Sequence, residues 1–489
     1  MLPYQTMIPL DKTADQSLYL QIAHGLRHQI QAGIIHPGTK LPGTRTLARL
    51  LEVHRKTVVH AIDELEAQGW VSVVPYRGVF VVEQLPRVRH RALRDRLRPP
   101  AAPRRVGFAL TPRPHLSPAP VVHAPLAFTD GYPDVRLAPT QELATAYART
   151  LRRGAPQSLN YGDARGPLRL RQVLAREFNR DRGLALGPDN IMITRGSQLA
   201  IYLAAQVLLR PGDRVIVGET NYHSADLCFE TLGAKLLRVR VDDRGLCVAE
   251  IDALCQSGPP IRALYLTSHH HHPTTVSLSP ERRLRLLDLA SDYGFAIIED
   301  DYSYDFHYDN RPILPLASAD RAGMVVYIGS FSKSTAPAFR VGYLMAPTDL
   351  IEEAARFRRF VDRQGDTILE LAIADLLEQG VIQRYRKKAL RQYRERRDVF
   401  CDLLRRDLSD WVDFQPPEGG LAAWVGFDPK FPLRELAARA GRQGLYLSDG
   451  QRYNPPGRQL NHTRMGFAAA DLAEMTQGVE ILRAILRNW

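Results

Sequence analysis

Between residues 87 and 120 the chain changes character so sharply that it cannot be folded as one unit. Arg87, Arg89, Arg91, Arg94, Arg96, Arg98, Arg104 and Arg105 stand there against a single acid, Asp95, and are joined by Pro99, Pro100, Pro103, Pro112, Pro114, Pro118 and Pro120. A run this charged buries no core, and its prolines stiffen it toward an extended form. It reads as a linker, whose arginines are either solvated or add sequence-independent phosphate contacts. The expected organisation is a head over 1–83, the linker over 84–123 and a body over 124–489. With 489 residues in all, a division into two or more domains is what the surface-to-volume balance predicts.

In the head, Leu18, Ile22, Leu26 and Ile30 recur at helical spacing, and Gly33 with His36-Pro37-Gly38 supplies the stop. A second helix is expected over 44–51 and a third from His54 to about Gln68, with Val58, Ile62 and Leu65 on one face. Alternating strands at 70–74 and 78–82 around Pro75-Tyr76-Arg77 then give a hairpin, so the order is that of a winged helix-turn-helix. Arg45, Arg55 and Lys56 fall at helix starts, Thr57 in the first turn of the third helix, and Arg77-Gly78 at the wing tip. Cations and helix N-termini at such places hold backbone phosphates, and the front of the third helix faces base edges. These six residues are the DNA-binding candidates. The formal net charge of +12 suits an acidic partner.

The stretch from Leu41-Pro42-Gly43-Thr44-Arg45 to Val53-His54-Arg55-Lys56-Thr57-Val58 resembles the GntR-type winged-helix head. Two departures stand out. Glu52 occupies the turn position that the family gives to glycine, and His54 the position it gives to serine, so turn geometry and helix cap are both at issue.

Cys228, Cys247, Cys255 and Cys401 lie scattered without metal or disulfide spacing. No apolar run approaches the ~18 residues of a membrane helix, and no secretion signal opens the chain, so a cytoplasmic protein is expected.

Beyond Val121 short apolar strands alternate with helical patterns, as in a largely parallel α/β sheet, whose ligands gather at the carboxyl ends of the strands. Several strand exits carry chemistry. Thr194-Arg195-Gly196-Ser197-Gln198 leads a strand into a helix, a junction that suits an anion. Ile298-Glu299-Asp300-Asp301-Tyr302 drives three carboxylates out of an apolar strand, which calls for a cation: a protonated pyridine nitrogen or a divalent metal. Ser330-Phe331-Ser332-Lys333, with Arg340 further on, sets hydroxyls and a guanidinium beside an amine, an arrangement that suits a phosphate next to a carbonyl-reactive lysine.

That last stretch resembles the cofactor-lysine segment of fold type I aminotransferases, and other segments follow in family order from about Asp130 to Phe467. The resemblance implies pyridoxal 5'-phosphate on Lys333 as an internal aldimine. It implies phosphate contacts from Gly196, Ser197, Gln198, Ser330, Ser332 and Arg340. Tyr222 would stack on the ring, Asp300 hold its nitrogen and Tyr302 reach its hydroxyl. Tyr161, in Asn160-Tyr161-Gly162-Asp163, would touch the phosphate of a partner subunit, and Arg464 clamp an α-carboxylate. His272 replaces the family asparagine before Pro273, within the run Ser268-His269-His270-His271-His272, which puts amino-transfer competence in doubt.

Head, linker and body together resemble the MocR/GabR-type regulators. The fold class expected is α/β, a winged helix-turn-helix followed by an aminotransferase-like body with a mostly parallel sheet and a smaller C-terminal α+β lobe. The function implied is a transcriptional regulator that binds double-stranded promoter DNA as a head-to-tail homodimer and senses an amine, an amino acid or pyridoxal phosphate itself. A working aminotransferase with an appended head is the alternative, and a half-reaction stays chemically open to either.

Overall fold

The computed structural model describes residues 2–86, 106–110, 124–154, 156–308 and 313–489. Most of the linker expected over 84–123 therefore lies outside the described residues. By its contacts the chain separates into two compact units, Met1–Pro112 and Arg113–Trp489.

In the first unit, helices Leu18–Gln31, Thr44–Leu50 and Arg55–Ala67 precede an antiparallel hairpin of Val71–Val74 with Gly78–Val81, paired Val71 to Val81 and Val74 to Gly78. The apolar stripes close on one core, in which Ile22, Leu26, Leu47, Val58, Ile62 and Leu65 meet Trp70, Val79 and Val81. A short helix, Tyr4–Met7, adds Tyr4 to that core. Four residues carry no readable period, so the sequence did not announce it.

Both departures in the turn are accommodated. Glu52 adopts the left-handed conformation, with φ +52°, that the family's glycine takes freely. A side chain there costs about 1 kcal/mol. His54 does cap the third helix: its Nδ1 accepts from the Lys56 amide at 3.2 Å, as a serine oxygen would. Such a cap is worth about 1 kcal/mol.

The second unit is built on a seven-stranded sheet. Its strands lie in the order Ile191–Thr194, Gly342–Met345, Val325–Ser330, Ala296–Asp300, Ala263–Leu266, Arg214–Gly218 and Lys235–Val239. All pairings are parallel except those of Gly342–Met345, which runs against both neighbours. Strands buried on both faces run apolar through their middles, as Ile297-Ile298, Val325-Val326 and Val215-Ile216-Val217 do, whereas the edge strand Lys235–Val239 keeps an exposed Lys235 and a half-buried Arg238. Ile298, Val326, Ile328 and Leu344 pack under the helix Ser197–Leu208. Ile216, Leu264, Ile297 and Val325 pack with Leu286 and Leu289 of the helix Pro280–Tyr293.

A smaller lobe follows. Strands Val412–Phe414, Ala422–Phe427 and His462–Gly466 form an antiparallel sheet, packed in one core with helices Val381–Asp407, Leu433–Arg442 and Leu472–Arg487. The mostly parallel sheet and the α+β lobe agree with the sequence reading. Among the described residues, no helix is long and apolar enough to cross a membrane.

Strand direction positions the site. Thr194 pairs with Gly342, and Gly342 with Ser330, while Asp300 pairs with Ile328. The exits at 194–197, 299–302 and 330–333 therefore share one edge of the sheet with the start of the single reversed strand.

Candidate functional site

At that edge the helix Ser197–Leu208 opens without a side-chain cap, behind Gly196 at φ +81°. Its first amides are left for an anion. The glycine is needed twice, because a Cβ built on it would lie 2.7 Å from Arg340 Nη2. Arg340 is itself held left-handed, at φ +50°, and donates from Nη2 to the Arg195 carbonyl at 3.1 Å. Among the described residues it forms no ion pair, so its charge is available. Ser330 Oγ accepts from the Ser332 amide at 3.3 Å, which fixes the turn leading to Lys333. Gln198 is exposed and Ser197 half-buried in the first helical turn. Gly196 and Arg340 thus meet at the sheet edge that also carries Ser330, with Ser197, Gln198 and Ser332 next to them in sequence, a corner drawn from segments far apart in the chain.

Lys333 Nζ donates to the Gly131 carbonyl at 2.9 Å and lies 5.0 Å from the centre of the Tyr132 ring. Burial pushes its pKa down to about 8, with nearby Asp130 opposing the shift and Arg464 adding to it. At pH 7 that leaves about 300 times more free amine than an ordinary lysine at 10.5 would have. Uptake of a carbonyl cofactor is accordingly expected to accelerate with pH and level off near pH 8 to 9. A stopped-flow series in which the rate still climbs tenfold per unit beyond pH 9 would contradict the depressed value.

The three carboxylates expected to need a cation divide cleanly. Glu299 accepts from the Leu316 and Ala317 amides at 2.8 and 2.9 Å and from Ser268. Asp301 accepts from the Tyr327 hydroxyl at 2.8 Å and faces His269 Nδ1 at 3.2 Å. Burial works against its charge, but His269 and Arg182 outweigh burial and hold the carboxyl well below the usual range. His269, Glu299 and Asp301 bring donor atoms within 4.8 Å of one another, yet each already has protein partners. Asp300 is different. Its Oδ2 accepts from the Tyr265 hydroxyl at 3.0 Å, whereas Oδ1 is buried with no partner among the described residues. Burial pushes this carboxyl up to about 7, with Tyr265 opposing. An orphaned buried carboxylate oxygen is costly unless a donor comes to it.

The histidine run proves to be four separate structural contacts. His269 faces Asp301, His270 Nδ1 lies 3.0 Å from Ser303 Oγ, His271 Nδ1 2.9 Å from Thr274 Oγ1, and His272 Nε2 3.1 Å from Asp130. Tyr222 stands edge-on to His272, with ring centres 5.2 Å apart, and burial raises its hydroxyl to about 12. The Tyr302 hydroxyl donates to the His270 carbonyl at 2.8 Å, which leaves only its lone pairs for another group.

Arg464 is buried on the strand His462–Gly466, with Nε 2.6 Å from Asp130 Oδ1 and Nη1 donating to the Pro273 carbonyl at 3.1 Å. Tyr161 stands apart from this group: it is 71% exposed, with the Arg363 guanidinium 3.9 Å from its ring centre. Asp130, Gly131, Tyr132 and Tyr265 escaped the sequence reading. The only cue for the first three was a polar break after the short strand Leu126–Phe128.

On the head, Arg45, Arg55, Lys56 and Arg77 are exposed and Thr57 and Gly78 half-buried. Arg55 Nε donates to Thr44 Oγ1 at 3.3 Å, tying together the starts of the second and third main helices. Gly78 has φ +113°, and a Cβ on it would meet Lys40 Cε at 3.0 Å. Fully exposed Tyr76, also at the hairpin tip, and Lys40 extend this surface beyond the residues expected.

Residues 18–81 match the gntR family of bacterial regulatory proteins, and residues 132–482 match aminotransferase class I and II. The "Probable rhizopine catabolism regulatory protein MocR" of Rhizobium meliloti is 29% identical over 489 residues, covering 98% of this chain and 95% of that one. The HTH-type transcriptional regulator TauR of Rhodobacter capsulatus is 30% identical over 482 residues, covering 95% and 96%. The chain belongs to the MocR-type GntR regulators. The body of this MocR-type regulator is similar to the multiple substrate aminotransferase of Thermococcus profundus, with a TM-score of 0.70 and 26% identity over 74% of this chain and 91% of that one. The Pyrococcus horikoshii kynurenine aminotransferase gives the same TM-score, identity and coverage. A MocR-type regulator is a DNA-binding transcription factor, and pyridoxal 5'-phosphate is the cofactor expected of its aminotransferase-like body. The orphaned Asp300 oxygen, the lysine poised near neutrality and the uncapped helix beside Arg340 fit that group.

Proposed function

We propose that this MocR-type regulator carries pyridoxal phosphate on Lys333 and uses it to sense an amine in the cytoplasm, changing its hold on promoter DNA as a head-to-tail homodimer. We further assign 1–83 to the DNA-binding domain, 84–123 to the linker and 124–489 to the sensor. One observation carries the reading: Lys333, the free Asp300 oxygen and the Gly196–Arg340 corner converge on one sheet edge.

When bound, the cofactor supplies a carbonyl that exchanges one amine for another and a ring that accepts electrons. The rest falls to the chain. Arg340, Ser330, Ser332 and the amides after Gly196 would hold the phosphate. Asp300 Oδ1 would accept a hydrogen bond from a protonated ring nitrogen, with Tyr265 steadying Oδ2. Tyr222 and His272 would bound the ring, and Lys333 would supply the amine that anchors the cofactor. Tyr161 belongs to the partner subunit's phosphate in this reading. An effector changes DNA affinity only by binding two conformations of the body unequally, so effector and DNA must each alter the affinity for the other.

A gel-shift titration of promoter DNA with and without pyridoxal phosphate and candidate amines tests the reading. Amine-dependent affinity without sustained turnover of a keto acid supports it, and steady transamination with amine-blind DNA binding favours the aminotransferase alternative. Arg55→Ala is expected to raise the promoter Kd about tenfold and to lower the slope of log K against log salt by about 1, with visible absorbance unchanged. Unaltered affinity would place the third main helix off the DNA.

A further inference from the structure

The guanidinium that would receive a ligand carboxylate already has one. Asp130 Oδ1 lies 2.6 Å from Arg464 Nε, while both Asp130 oxygens lie 3.1 to 3.2 Å from His272 Nε2. Arg464 Nη1 is committed to the Pro273 carbonyl, and a Cβ on Gly131 would lie 3.1 Å from Nη2. The arginine side chain is 2% exposed and that of Asp130 22%. A second carboxylate at this guanidinium must share it with Asp130 or displace Asp130, and either way two like charges crowd one buried arginine.

Resting on the sensor reading above, we propose that Asp130 is an internal carboxylate that fills the Arg464 subsite and selects a primary amine free of a carboxylate, one whose far end is a hydroxyl or a second ammonium. Such a ligand leaves the ion pair whole. Its donor group meets an acceptor at Asp130, where an amino acid would bring a rival acceptor. Asp130 is also near Lys333, so an ammonium entering toward the lysine is drawn along the same carboxylate. Burial works against the Asp130 charge, but His272 and Arg464 outweigh it and keep the carboxyl ionised.

Matched ligand pairs test this with the full-length protein: 1,4-diaminobutane against 4-aminobutyrate, and 2-aminoethanol against glycine, by isothermal titration calorimetry. The unchanged chain is expected to bind the carboxylate-free member of each pair at least tenfold more tightly. Asp130→Asn, which keeps shape and removes charge, is expected to shrink that preference at least tenfold, and Asp130→Glu to retain it. A wild-type protein that takes the carboxylate member equally well overturns the proposal. So does an Asp130→Asn protein of unchanged circular dichroism with unchanged preference. If Asp130→Asn fails to fold, the wild-type and Asp130→Glu comparisons decide. Failure to take up pyridoxal phosphate overturns the sensor reading instead, and titrating the same pairs into cofactor-free protein still reads out Asp130.

Discussion

Lys333→Ala is expected to yield a folded protein that elutes from gel filtration colourless after incubation with pyridoxal phosphate, where the unchanged chain retains the cofactor stoichiometrically. Among the described residues the ammonium makes one hydrogen bond, to the Gly131 carbonyl, worth about 1 kcal/mol. Its removal also relieves the burial that depresses the lysine, so the two effects on stability oppose each other. Denaturant midpoints should therefore stay close, while cofactor retention and every amine-dependent change in promoter binding disappear. Retention of cofactor by the alanine variant through denaturing chromatography would show that another lysine carries it, and the sheet-edge site would lose its central residue.

Asp300→Asn is expected to weaken cofactor binding about 100-fold, the equivalent of losing one charged, buried hydrogen bond at about 3 kcal/mol. The substitution keeps the shape and an oxygen for the Tyr265 hydroxyl, so packing is undisturbed. What it removes is the charge opposite the ring nitrogen. Without cofactor the effect on stability has the other sign. Burial raises the Asp300 carboxyl to about 7, so the native state binds a proton that the unfolded state releases between about pH 4 and 7. The wild type's cost is absent below pH 4, grows through that window and is complete above it. The amide variant lacks that cost and should unfold at higher denaturant at pH 8. Fluorescence titration with pyridoxal phosphate and unfolding at pH 4 and 8 measure the two effects. Equal cofactor affinity would mean that Oδ1 meets no ring nitrogen.

Much of this was legible along the chain because strand exits are local. The acids at 299–301 and the lysine at 333 sit where apolar runs end, and those runs set the strands. The head was equally open to reading, since its helices carry their period over several turns. What stayed hidden depended on pairing between distant segments. Nothing near Asp130 indicates Arg464, and only the fold brings the two within 2.6 Å. The residue pattern likewise does not say which of the three neighbouring carboxylates lacks a partner, and only the family resemblance pointed to Asp300. Tertiary contacts decide it, with the 316–317 amides taking Glu299 and Tyr327 taking Asp301. The reversal of Gly342–Met345 was also beyond a periodicity argument, because four buried apolar residues look alike in either direction.

That reversed strand has a consequence for how the protein matures. Gly342–Met345 is wedged between Ile191–Thr194 and Val325–Ser330, so the corner formed by Gly196 and Arg340 does not exist until a strand emerging about 150 residues later has slotted into place. That corner therefore depends on a strand that enters the sheet between two segments laid down before it in the chain.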